Sequence, residues 1–393
     1  MSAAGHHARG TIVVAGSVAQ RPGHGGHTWV FLQYLLGFRR LGWDVLLLDR
    51  LEPEMCRDAG GRPCAVRDSV NFRYLAAVME RFGLADSFAV ACDGGAEYLG
   101  LQQRQVLERV RRCPFLLNVM GFLNDDVAAA APRRVFLDID PGFPQMWREL
   151  GQADLFRGHD DFVTIGLNVG REGCVIPTCG LEWVTTVQPV VLEHWPAREP
   201  HRRGPMTSVC TWRGDWGSVE FGGRTYGLRV HEFRKFVALP RLAPRARFEL
   251  AVDIHPNETR DIALLDDNGW NRVDPTAAAD SPEGYARFIA RSSAEFMVAK
   301  NLYVETRGGW FSDRSICYLA SGRPVLAQDT GFRTVLPAGE GLLTFSTPDE
   351  ARAGVEEIFG DYARQARAAR AVAEENFDSD RVLRRLLDRL GVN

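Results

Sequence analysis

Residues 305–332, ETRGGWFSDRSICYLASGRPVLAQDTGF, constrain the chain more than any other stretch. Gly308 and Gly309 interrupt whatever precedes them, and Ser312 is placed as a helix N-cap. Ile316, Cys317, Leu319 and Ala320 supply the apolar positions of a short helix that stops at Gly322, and Pro324 leads into a buried strand over 325–327. In a parallel sheet, the loop entering such a helix and the loop leaving the next strand both lie at the carboxyl edge, where α/β sheets bind ligands. Residues 307–314 and 328–331 are therefore expected to face one pocket. Arg307 and Arg314 flank a helix start whose N–H groups and dipole suit a phosphate or diphosphate, while Asp329 and Thr330 suit hydroxyls. A plain connection with a capped helix would carry the same pattern, because the fold needs such turns anyway.

The stretch belongs to a chain of 393 residues, 45% hydrophobic and 25% charged, a length that favours two domains. A net charge of −3 gives no basic surplus for a nucleic acid. The eight cysteines are scattered without CxxC spacing, as in a protein of a reducing cytoplasm. No apolar run is long enough for a membrane span, and residues 1–10, with His6 and His7 in a tail, lack a signal-peptide core.

From the start, a buried strand over 11–15 leads into a glycine- and histidine-containing loop over 16–27. A helix from Thr28 to Gly42 and a strand over 45–48, closing at Asp49, complete a βαβ unit. The dinucleotide fingerprint is missing, since Thr28 stands where its third glycine belongs. Further strands are expected at 88–92, 115–120, 135–137, 162–167 and 187–192, with a helix over 72–82. The proline-punctuated stretch 194–205 reads as a linker. Strands then restart at 208–212, 248–254 and 296–299, with a loop over 213–217 and a helix over 285–292. Two helices, 351–359 and 363–390, end the chain. The expected architecture is two doubly wound, Rossmann-like α/β domains facing across a cleft: residues 10–195, a linker 196–205, residues 206–365, and C-terminal helices 366–393 returning to the first domain.

Gly309-Trp310-Phe311 and the run Ala320 to Val325, Ala-x-Gly-x-Pro-Val, resemble the donor-binding signature of nucleotide-sugar glycosyltransferases of the GT-B architecture, family 1/4-like. Many retaining members carry two glutamates eight residues apart, and those places here are Gly309 and Cys317, so the stereochemical class stays open. The resemblance implies that Gly309, Phe311, Ser312, Asp313 and Arg314 hold the donor with Arg307, Asp329 and Thr330. It implies that Gly25 and Gly26 form the first loop and that Asp274 lies near the nucleotide base; Arg213 either reaches the phosphates or pairs on the surface. In inverting relatives the base sits in the first loop, which points to His27, with His24 second; neutral imidazole is the usual proton acceptor near neutral pH. Asp138-Ile-Asp140 after an apolar strand is the pattern by which other glycosyltransferases hold a divalent cation. Here it reads instead as an acidic pair on the cleft, assisting a histidine or an acceptor hydroxyl, with no metal.

The function this implies is metal-independent transfer of a sugar from a nucleoside diphosphate sugar, as co-substrate, to a hydroxyl of a small-molecule acceptor, with no cofactor. A catalytically silent sugar-nucleotide-binding module and a dinucleotide-dependent oxidoreductase are the alternatives.

Overall fold

In the computed structural model, which describes residues 9–392 apart from 198, 200 and 215, the apolar runs become the strands of two sheets. The first sheet holds β1 (Thr11–Ala15), β2 (Asp44–Leu51), β3 (Phe88–Cys92), β4 (Glu97–Gly100), β5 (Leu116–Val119), β6 (Arg134–Asp138), β7 (Asp161–Thr164) and β8 (Trp183–Thr185). Their order is β4-β3-β2-β1-β5-β6-β7-β8. β1 runs parallel to both β2 and β5, with Val13 opposite Leu46 and Leu116. Every residue of β3 is buried, and Ile12 to Ala15 of β1 are fully enclosed, as strands covered on both faces must be. β4, a hairpin partner of β3, runs antiparallel to it.

The second sheet comprises β9 (Met206–Thr211), β12 (Phe248–Asp253), β13 (Asn271–Val273), β14 (Ala294–Met297), β15 (Val325–Gln328) and β16 (Leu342–Phe345), while β10 (Val219–Phe221) and β11 (Arg224–Tyr226) form a separate hairpin. Its order, β13-β12-β9-β14-β15-β16, is parallel throughout. Numbered within the domain this is 3-2-1-4-5-6, the doubly wound order whose direction reverses between β9 and β14. Trp212, Phe233, Phe248, Trp270, Phe296 and Phe345 fill its core, with Phe296 stacked on Phe345 at 5.0 Å.

Several expectations are corrected. The run 187–192 is not a strand: Pro189 lacks the N–H a ladder needs, and Val190 makes only a single parallel bridge, to Asp378. That bridge also divides the last helix, which occurs as Tyr362–Asn376 and Ser379–Arg389. Val190 donates to the Phe377 carbonyl at 2.8 Å and accepts from the Ser379 N–H at 2.9 Å, so the intervening turn cannot remain helical.

The chain forms two compact units, one of residues 1–139, 155–163 and 383–393, the other of 140–154 and 164–382. The expected boundary at 195 therefore falls inside the second unit. The stretch read as a linker is tied down by arginines: Arg323 donates to the Glu199 carbonyl, Arg370 to that of Trp195, and Arg202 to that of Phe359. The expected tail with His6 and His7 lies outside the described residues, as do Arg198 and Pro200 of the linker and Asp215 of the loop after β9.

Asp49, expected to close a strand, instead lies within β2 at 1% exposure. Its carboxylate accepts the N–H groups of Ala19 (2.5 Å) and Arg50 (2.7 Å), fixing the loop that follows β1. Burial pushes this carboxyl from the ordinary 3.8 up to about 7, against the pull of those N–H groups. The folded state thus holds the proton to higher pH than the unfolded chain does. The stability this group contributes is fully present below its unfolded value and is lost as pH rises through about 7. Asp49→Asn, which mimics the neutral acid, should show a smaller fall in melting temperature than the parent chain between about pH 5 and pH 8. Equal falls in the two proteins would refute the assignment.

Candidate functional site

In the second unit, Ser312 caps the helix Asp313–Ala320 by accepting the Arg314 N–H, as the sequence suggests. The loop before it meets the loop after β15 directly. The Gly309 N–H donates to the Thr330 carbonyl at 2.9 Å, and the Thr330 hydroxyl donates to the Trp310 carbonyl at 2.5 Å. Asn168 clamps both loops. Its Nδ2 donates to the carbonyls of Arg307 and Gly331, its Oδ1 accepts from the Thr334 hydroxyl, and its own N–H reaches the Gly308 carbonyl. Nothing in the pattern around Asn168 marked it, because its partners are 139 and more residues away.

The clamp explains a departure noted in the sequence. Gly309 has φ +77°, and a Cβ there would stand 3.1 Å from Asn168, so a glutamate does not fit where relatives carry one. At the second glutamate place Cys317 is buried at 4% exposure. Phe311 is likewise buried, stacked on Phe377 at 5.5 Å. Arg307, in the left-handed conformation at φ 51°, is exposed. Asp329 is half-buried and accepts the Gly331 N–H. Asp313 is half-buried on the first helical turn, its carboxyl pushed up by burial.

Arg314 requires correction. It is tied to the sheet rather than lying free beside the helix start: its Nε donates to Glu295 of β14 and its Nη1 to the Val209 carbonyl of β9 at 2.8 Å, with the side chain 10% exposed. β9 and β14 pair only at Met206–Ala294 and Thr207–Glu295. Beyond these residues, carbonyls that face the widening gap need other donors. Arg229, 8% exposed, supplies two more, to Val298 (3.1 Å) and Thr211 (3.0 Å). The switch point is therefore bridged by two buried guanidinium groups, of which the sequence pointed only to Arg314, in another role.

Around that point the remaining elements are placed as follows. Arg213, after β9, is exposed and donates from Nε and Nη2 to the two oxygens of Glu258. It borders a cavity of about 290 Å³ that Thr211, Trp212, Gly214, Asp253 and His255 also line. Asp274, after β13, is exposed and caps the helix Pro275–Ala279 through the Thr276 N–H. Lys300, after β14, places its Nζ 3.0 Å from both oxygens of Asp140, and the Trp216 indole donates to the same carboxylate. A larger hollow, about 790 Å³, lies beside Phe248 and Glu249. Its arginines are engaged, Arg291 with Glu249, Arg241 with the Asp267 carbonyl and Arg247 with that of Arg203.

In the first unit, the helix expected from Thr28 begins at Gly25, so Gly25 and Gly26 form its first turn rather than a preceding loop. His27 follows, half-buried, its Nε2 3.0 Å from the Ser17 carbonyl and its ring edge-on to Phe31. An Nε2–H donating to that carbonyl leaves Nδ1 as the basic nitrogen of the neutral ring. Asp138 ends β6 with no exposure. Asp138 and Asp140 are therefore not one acidic surface: the first is enclosed in the first unit, and the second lies against Lys300 in the other. Among the described residues no three His, Cys, Asp or Glu side chains gather as a cation site, and no helix is long and apolar enough to cross a membrane.

The Arg314 geometry yields a test. Removing one partner of a buried pair strands the other, so Arg314→Ala should cost about 3–5 kcal/mol in denaturant unfolding. Exposed Arg307→Ala should stay within about 0.5 kcal/mol of the parent chain. A stable Arg314→Ala variant that loses only ligand affinity would return Arg314 to the binding surface.

No family model matches the chain, and no curated protein does. Solved structures match over nearly its whole length. Anabaena HepE in complex with UDP and glucose is 13% identical, covers 98% of this chain and 100% of its own, and has a TM-score of 0.58. Sucrose-phosphate synthase from Thermosynechococcus elongatus is 12% identical over 97% and 99%, at 0.54. An α-glucosyltransferase in complex with UDP is 11% identical over 97% and 99%, at 0.57. With its two Rossmann-like sheets, the chain has the GT-B fold that these glycosyltransferases share.

Proposed function

We propose that this protein transfers a sugar from a nucleoside diphosphate sugar to a hydroxyl of a small-molecule acceptor, without a metal ion. The observation that carries this reading is the joining of the loop just before the helix Asp313–Ala320 to the loop after β15, at the N-terminus of that helix. The first-turn N–H groups of a helix lack intrahelical acceptors and carry positive dipole charge, which suits a diphosphate leaving group as negative charge develops on it. Arg213 adds an exposed cation. An exposed ion pair such as that with Glu258 is worth little, so exchange of the carboxylate for a phosphate is inexpensive. Arg307, exposed at the same loop, is the second candidate. Asp329 accepts hydroxyls of the sugar, and Asp274 lies toward the base.

His27 is the proton acceptor in this reading. Loss of the diphosphate gives an oxocarbenium-like centre, the acceptor oxygen forms the new glycosidic bond, and its proton passes to the imidazole. HepE and the α-glucosyltransferase were solved with UDP, which makes uridine diphosphate sugars the first donors to try. Against a dinucleotide oxidoreductase stands Thr28, enclosed at the third-glycine place and bonded to the His24 carbonyl and to Tyr74. A silent binding module is favoured by one observation, the glycine and buried cysteine at the two glutamate places, and donor hydrolysis without acceptor separates it from an enzyme.

A thermal-shift screen of sugar nucleotides in the presence of EDTA tests the donor site. A ligand at a hundred times its dissociation constant stabilises the fold by about 2.7 kcal/mol. Arg213→Ala or Arg307→Ala should weaken donor binding by about 1.5–3 kcal/mol for whichever makes a charged hydrogen bond. No stabilisation by any sugar nucleotide, or stabilisation and turnover that require added magnesium or manganese, would refute the reading or its metal independence respectively. His27→Ala should lower turnover about a hundredfold to ten-thousandfold with donor affinity nearly unchanged. Turnover within a few fold of the parent chain would exclude His27 as the base.

A further inference from the structure

Lys300 was not among the expected site residues, yet it occupies the position next to the switch point of the second sheet. It follows β14 by three residues, and the Arg213–Gly214 loop passes beside it: a Cβ at Gly214 would stand 4.0 Å from Lys300 Cε. Its ammonium lies over the rings of Phe143 at 4.8 Å and Tyr303 at 5.3 Å, and its side chain is 15% exposed. A cation held in such a slot has given up much of its water and needs an anion. The one it has is internal. Both oxygens of Asp140 lie 3.0 Å from Nζ, and the Trp216 indole N–H donates to one of them at 3.2 Å. A phosphate would be held in the same way: two oxygens on an ammonium and an N–H donor on one of them. Trp216 is 41% exposed, so the edge of the arrangement is open to an incoming ligand.

We propose that Asp140 is a resident competitor of the donor diphosphate, occupying the anion position on Lys300 until a diphosphate displaces it. The proposal rests on the donor-site reading above and deepens it. Lys300 is then a diphosphate ligand, and Asp140 is a positioning residue that holds its ammonium over Phe143 and Tyr303 between turnovers. The competition has a thermodynamic signature that a structural ion pair lacks. Removing the carboxylate's charge must strengthen diphosphate binding, since the ligand no longer has to break the Lys300–Asp140 pair, and the gain must vanish when Lys300 is absent.

Calorimetric titration with inorganic pyrophosphate and with UDP, on the parent chain, Asp140→Asn, Lys300→Met and the double variant, tests this. Methionine keeps the stem over the two rings without the charge. Asp140→Asn should bind both probes several-fold more tightly and Lys300→Met about tenfold more weakly. The double variant should match Lys300→Met. Should Asp140→Asn fail to fold, Asp140→Ser carries the same expectation. Unchanged or weaker binding by the Asp140 variant overturns the proposal, as does an equal gain in the Lys300→Met background, which would make Asp140 a source of general repulsion only. If the parent chain binds neither probe nor any sugar nucleotide, the donor-site reading itself fails and this proposal with it. Binding by the parent chain that neither Asp140 nor Lys300 variants alter defeats this proposal alone.

Discussion

The gap between β9 and β14 is the constraint on which the second unit depends. A doubly wound parallel sheet must reverse its winding somewhere, and at that place two neighbouring strands carry their crossovers to opposite faces and part company. Here they pair over two residues each and then diverge. Backbone carbonyls left in the gap cannot remain without donors. Arg314 and Arg229 supply them, reaching Val209, Thr211 and Val298. A guanidinium group suits the task because its donors form a planar fork that can serve two strands at once. Arg314 also carries the cost of its own burial through Glu295, whose carboxylate keeps it charged although desolvation opposes this.

From that bridge the candidate site follows. Arg314 is the second residue of the helix Asp313–Ala320, so anchoring it to β9 and β14 fixes where the helix N-terminus lies. Asn168 does the same for the loop just before it and for the loop after β15. The two devices divide the work: a charged side chain holds the helix to the sheet, and a neutral amide with three hydrogen bonds holds loop to loop. Arg314 spends its Nε and Nη1 on the sheet, and Asn168 spends both ends of its amide on the loops. Arg307 is exposed at the same loop, and Arg213, also exposed, is paired with Glu258.

The first unit shows a related economy. Asp49 is buried beneath the loop after β1 and accepts two backbone N–H groups, and Asn71 donates to the Ala19 carbonyl from another helix. His27 stands where that loop enters its helix, tethered to Ser17. Its Nε2 lies within reach of both the carbonyl and the hydroxyl of Ser17, and Asp138, the acid the sequence offered, is enclosed at the end of β6.

The local patterns determined a good deal unaided. Fully apolar runs such as residues 88–92 and the capped segment from Ser312 became the expected strand and helix, with ends placed to within a few residues, because periodicity, caps and glycines act over a handful of neighbours. The alternation of those segments was enough to indicate two doubly wound sheets. Tertiary structure alone decided what each polar residue does. Arg307 and Arg314 are seven residues apart and alike in sequence, yet one is exposed while the other is locked to Glu295, nineteen residues earlier. Asp138 and Asp140 are two residues apart and belong to different compact units. Asn168 and Lys300 carried no local mark, since what defines them are partners 139 to 166 residues away for the one and 160 for the other. A hydrogen-bond donor or a charge is assigned by what it meets, and only the folded chain brings such partners together.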